Sequence, residues 1–155
     1  MKVIILLEEK RVLSKEYSEK DISFKFKVPK NIKSIEILFK YDPALISDKT
    51  LYIDSLSKAI DKYYSIYDKN IEKITTENFD CIKNLLTISL DCNGVFIGNR
   101  HRWDNNQRIK ISTENADLGF VSPSNIHGEW IITIHCHQIF IKDCNIDLKV
   151  VGEYA

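Results

Sequence analysis

The sequence carries no surplus of either charge: 22 Lys and Arg stand against 22 Asp and Glu in 155 residues. A general polyanion binder draws its affinity from excess basic charge, so no nucleic-acid partner is expected. Long apolar runs are also lacking. The longest, Val3 to Leu7, is far short of the ~20 residues a bilayer-spanning helix needs, so no membrane partner is expected. Lys2 before that run imitates a secretion signal, but Glu8, Glu9, Lys10 and Arg11 stand where a small-residue cleavage site belongs. The stretch reads as a first strand, and the location as cytoplasmic. With 5 Gly and 3 Pro, collagen-like and proline-rich classes fall away. The four cysteines, Cys81, Cys92, Cys136 and Cys144, include no CxxC pair, so the two close ligand pairs of a structural zinc site are missing. Cys136 and Cys144 could meet across a hairpin, but without an export signal buried or half-buried free thiols are expected. Phosphate-loop and GxGxxG patterns are absent, and Ser122 and Ser124 lack a GxSxG setting. Asp91 and Asp104 read as turn residues rather than a catalytic carboxylate pair.

What is present is a strong period of two. The composition, 44% hydrophobic and 28% charged, is that of a folded chain. A length of 155 residues suits one domain (1–155) burying about 68–70% of the unfolded surface. In Phe24-Lys25-Phe26-Lys27-Val28, apolar residues alternate with lysines until Pro29, which cannot donate to a ladder. Ser34 to Tyr41 repeats the pattern with Ile35, Ile37, Phe39 and Tyr41 on one side, and Leu85 to Leu90 does so with Leu86, Ile88 and Leu90. Asn93-Gly94 follows as a turn signal. Arg108 to Ser112, Trp130 to Phe140 and Ile146 to Val151 complete the predicted strands. One segment differs: Tyr52, Leu56, Ala59, Ile60, Tyr63 and Tyr67 fall at helical spacing, with Ser47 or Asp48 placed to cap the start. This predicts a helical insertion at about 48–67 between the second and third main strands, followed by a polar loop or frayed turn over Asp68 to Asn84, with the insert covering an open sheet face. Many short strands with turns between them predict a mostly β fold, an antiparallel jelly-roll-like β-sandwich.

The second half carries a pattern of its own. Asn84 to Asp91 is followed by Gly94, Gly98-Asn99-Arg100-His101-Arg102, then Ala116-Asp117-Leu118-Gly119-Phe120-Val121 and Gly128-Glu129-Trp130. With Phe24 to Pro29 and Ile35 to Asp42, these stretches resemble the β-sandwich domain ahead of the metallohydrolase domain in bacterial PHP-class proteins (the CehA/McbA-like group). The chain departs where Gly98 and Asn99 replace the usual Arg-Gly step and where Ser122-Pro123-Ser124-Asn125 replaces a proline-glycine turn. Only 18 residues follow His137, too few for a metal-binding barrel. The resemblance therefore implies the accessory domain alone, without catalysis or cofactor, docking to a separately encoded metallohydrolase or to itself.

Two clusters are candidates for chemistry. Arg100-His101-Arg102-Trp103, with Arg108 nearby, falls in a predicted loop. Guanidinium groups fork onto carboxylate or phosphate and indole offers a stacking face, so this loop is the candidate site for a small anionic or sugar ligand. The competing reading has Arg100 or Arg102 tying down the loop through carbonyls, with Trp103 as a lid. His135-Cys136-His137 places two imidazoles on one strand face, opposite a core side of Trp130, Ile132, Ile134 and Cys136. As an alternative, His135 and His137 with His101 would serve a small metal-dependent hydrolase. His127 could join them only through folding. A pair of half-exposed histidines without metal is the favoured reading, and no catalytic residue is assigned.

Overall fold

Alternating sequence becomes alternating burial along most of eight long strands. The computed structural model describes residues 1–67 and 74–155. The strands are β1 (Val3–Leu13), β2 (Lys20–Val28), β3 (Ile32–Asp42), β6 (Leu85–Cys92), β7 (Val95–Arg100), β8 (Asn106–Ser112), β9 (Gly128–Gln138) and β10 (Cys144–Tyr154), with two-residue strands β4 (Leu45–Ile46) and β5 (Ile82–Lys83) between β3 and β6. One sheet has the order β1-β10-β3-β8 and the other β2-β9-β6-β7, every pairing antiparallel. Apart from the β6–β7 hairpin, each connection between long strands crosses from one sheet to the other. Two four-stranded sheets wound in this way form a jelly roll, so the fold is the antiparallel sandwich that the period-two pattern predicts.

The core lies between the sheets and is built from the residues that alternation selects. Ile35, Ile37, Phe39 and Tyr41 of β3, Leu86, Ile88 and Leu90 of β6, and Trp130, Ile132 and Ile134 of β9 are all fully buried. The Trp130 indole stacks on Phe26 and donates to the Ile126 carbonyl at 2.7 Å, which removes the cost of burying its N–H. Asn93 and Gly94 turn β6 into β7, both with positive φ, as a type I′ hairpin requires.

Three expectations change. Val95 to Arg100 is a strand, which Gly98 in its middle obscured in the sequence. A Cβ on Gly98 would lie 2.1 Å from the Gly119 carbonyl oxygen, and that close approach lets the 119–121 segment extend the β7 edge. There the Asn99 N–H donates to Gly119 and the Val121 N–H to Ile97. Arg100 therefore ends a strand instead of sitting in a loop. Asp91 lies within β6, opposite Phe96 and Ile131, and not in a turn. The helix α1 (Lys49–Ile66) forms where predicted, capped by Asp48, which accepts from the Thr50 N–H at 3.0 Å. It does not cover a sheet face. Tyr52 and Leu56 pack on Ile46 and Ile82, with Phe79, Phe140 and Ile141 at the margin, so α1, β4, β5 and the β9–β10 turn make a second, smaller core. Of the predicted 68–84 loop, residues 68–73 lie outside the described residues; a 3-10 turn at Thr76–Asn78 and β5 occupy part of the rest. Among the described residues no helix is long and apolar enough to cross a membrane.

Candidate functional site

The outer face of the β2-β9-β6-β7 sheet is polar, because the same alternation that buries Ile132, Ile134 and Leu90 turns their neighbours outward. Register sets Asp21 of β2 and Thr87 of β6 on either side of His135, and Ser23 and Ser89 on either side of Thr133. His135 is held at both nitrogens: Nδ1 meets Asp21 Oδ1 at 2.8 Å and Nε2 meets Ser89 Oγ at 2.8 Å. His137 Nε2 meets Thr87 Oγ1 at 2.7 Å. The His101 ring, just beyond β7, lies edge-on to His137 with centroids 4.9 Å apart, and His135 and His137 are 6.2 Å apart. His137 is exposed; partial desolvation against the sheet, then its neighbours His101 and His135, hold its pKa below the ordinary imidazole value against the opposing pull of Asp21. Folding thus gathers the three histidines of the alternative reading, and adds Asp21, Thr87 and Ser89, which sequence reasoning missed. The outward parity of Thr87 and Ser89 was readable; which strands stand beside β9 was not.

Asp21, His135 and Ser89 form a carboxylate–imidazole–hydroxyl chain, the order used in acyl transfer. Nucleophilic catalysis also needs access and donors for the oxyanion. Ser89 is only 6% exposed and lies on a strand flanked by β9 and β7, whose ladders engage the backbone amides around it. Asp21 and Ser89 hold the His135 ring from both sides. With both His135 nitrogens engaged, no group of three His, Cys, Asp or Glu side chains among the described residues is placed to hold a metal ion.

The basic loop divides. Arg100 lies across from Ile88 and turns inward. Its Nε and Nη2 donate to the Leu118 carbonyl at 3.2 and 3.0 Å, its Nη1 donates to the Arg108 carbonyl at 3.1 Å, and its guanidinium stacks over Phe120. Burial and the nearby Arg102 lower its pKa. Arg108 pairs with Glu36 at 3.3 Å. Arg102 is half-buried and Trp103 exposed, with the Lys83 ammonium over the indole at 5.8 Å. The Trp103 carbonyl lies within reach of the Tyr41 hydroxyl, and Gln107 donates to the Asp104 carbonyl while its own buried carbonyl oxygen has no partner among the described residues. Folding therefore brings His101 to the imidazole face and takes Arg100 into the frame.

His127 sits at the other end of β9, its Nε2 3.0 Å from the Ile32 carbonyl oxygen. It borders a cleft of about 900 Å³, which is also lined by Lys33, Ser34, Lys110 and Glu153. There the Glu153 carboxylate meets Lys33 at 2.9 Å and Lys110 at 3.7 Å, and the Lys33 hydrogen bond draws its pKa down. The four cysteines are unpaired. Burial pushes Cys136 up to about 11 and Cys144 to about 12, so these thiols stay protonated and inert.

No family model and no curated protein matches the chain. Among solved structures it is similar to a protein from Sulfurospirillum deleyianum (9% identity, TM-score 0.37, covering 95% of this chain and 98% of that one). It is also similar to a carbohydrate-binding module, CBM36, in complex with calcium and xylotriose (8%, 0.33, all of both chains) and to the mavirus penton protein (12%, 0.30, all of both chains). At these scores the likenesses carry no argument about function, and the fold rests on the strand order itself.

Proposed function

We propose that the chain is a non-catalytic binding module that takes a small anionic or sugar ligand at the loop following β7. The supporting observation is the division of the basic cluster. Arg100 is tied into the frame by three hydrogen bonds to carbonyls, while the Arg102 side chain makes no hydrogen bond or ion pair among the described residues and the exposed Trp103 indole meets only the Lys83 ammonium there. A cation and an indole face on a loop pinned by its own strand end suit a charged sugar: the ring stacks and the anion pairs. A partner metallohydrolase has only the strand-and-turn resemblance in its support.

Calorimetric titration with galacturonate and glucose 6-phosphate, and with glucose as the uncharged control, tests the reading. Binding of at least one anionic sugar is expected, with loss in Arg102→Ala and Trp103→Ala at unchanged melting temperature. The proposal is sunk if none of the three binds, or if both variants bind as the parent does.

A further inference from the structure

We propose that His101 and His137 form a two-imidazole site for a first-row divalent transition-metal ion, with the remaining positions open to water or to oxygens of a ligand. The ring centroids are 4.9 Å apart at an interplanar angle of 64°. Nitrogens about 2.1 Å from one ion at near-tetrahedral angles place two imidazole centroids on the order of 5 Å apart. Thr87 Oγ1 lies 2.7 Å from His137 Nε2. When that hydroxyl accepts the Nε2–H, the His137 Nδ1 lone pair is left for the ion, and a ligating histidine characteristically donates its other N–H in this way. His101 has no hydrogen-bond partner among the described residues, so both its nitrogens are available. His135, held by Asp21 and Ser89, stays out of the site, which explains why it has two protein ligands and not three. Imidazole favours zinc, nickel and copper over magnesium or calcium.

This inference is independent of the sugar reading, because its readout is ion uptake alone. The experiment is calorimetric titration of the full chain with Zn(II), and with Mg(II) as the hard-ion control, in a Cys81→Ser background that removes the exposed thiol. One zinc ion per chain and no magnesium uptake are expected. His101→Ala and His137→Ala should abolish uptake, Thr87→Val should weaken it about 10–100-fold, and His127→Ala should leave it unchanged. Should His137→Ala fail to fold, the exposed His101→Ala decides. The site is refuted by absence of saturable zinc uptake in the parent, or by uptake that survives His101→Ala.

Discussion

Arg100 and Arg102 are chemically identical and two residues apart, yet folding gives them opposite roles. Arg100 is the last residue of β7 and turns inward, where its guanidinium satisfies the carbonyls of Leu118 and Arg108. Removing it leaves charged hydrogen bonds unmade, each worth about 1.5–3 kcal/mol. Arg100→Ala should therefore lower the melting temperature clearly. Arg102→Ala should change stability within about ±0.5 kcal/mol, as for a side chain with no hydrogen bond or ion pair among the described residues. Parallel thermal melts decide the matter, and equal melting of the two variants would mean that Arg100 does not anchor the 118–120 segment. In the sequence both belonged to a single basic cluster, because charge and spacing do not reveal which of them a strand end turns inward.

At the scale of elements, α1 was the most readable part of the insert. Its helical spacing was legible, and the four free N–H groups of a helix start called for a cap at Ser47 or Asp48, of which Asp48 serves; of the stripe only Tyr52 and Leu56 are buried, while Ala59, Tyr63 and Tyr67 are exposed. Its docking site did not follow from these. Tyr52 and Leu56 are buried against β4 and β5 and not against either large sheet, and those two strands are too short to signal themselves. Because this cluster is separate from the sandwich core, Leu56→Ala should loosen it selectively. A buried Leu→Ala change costs about 2–5 kcal/mol. Hydrogen exchange should show α1 amides losing protection while those of β3, β6 and β9 keep theirs. Uniform loss across all elements would show that the two cores unfold as one unit.

For the whole molecule, the histidine face links stability to pH. The folded pKa of His137 is depressed by partial desolvation and by His101 and His135, so the unfolded chain binds the proton more readily. Its contribution to stability is present above the ordinary imidazole pKa of about 6.5 and is lost as pH falls below it. The parent should therefore melt lower at pH 5 than at pH 7.5. His137→Gln should shrink that difference, since glutamine does not titrate and keeps a group that can reach Thr87. The Glu153 carboxylate, drawn down by Lys33, adds a further acid-side loss at lower pH. An undiminished pH difference in His137→Gln would place the sensitivity elsewhere.

Local pattern alone determined the sheet faces, the helix and the Asn93-Gly94 turn, and narrowed the helix cap to Ser47 or Asp48, because alternation, helical periodicity and turn chemistry act over a few neighbouring residues. The inward set of Ile35, Ile37, Phe39 and Tyr41 was legible for that reason. Only the tertiary structure decided that β2 and β6 flank β9, and so that Asp21, Ser89 and Thr87 meet His135 and His137 across the chain. It alone carried His101 to His137 and Arg100 to Leu118. Strand neighbours far apart in sequence are selected by burying both sheets' apolar faces at once, a property of the whole packing that no single strand's pattern encodes.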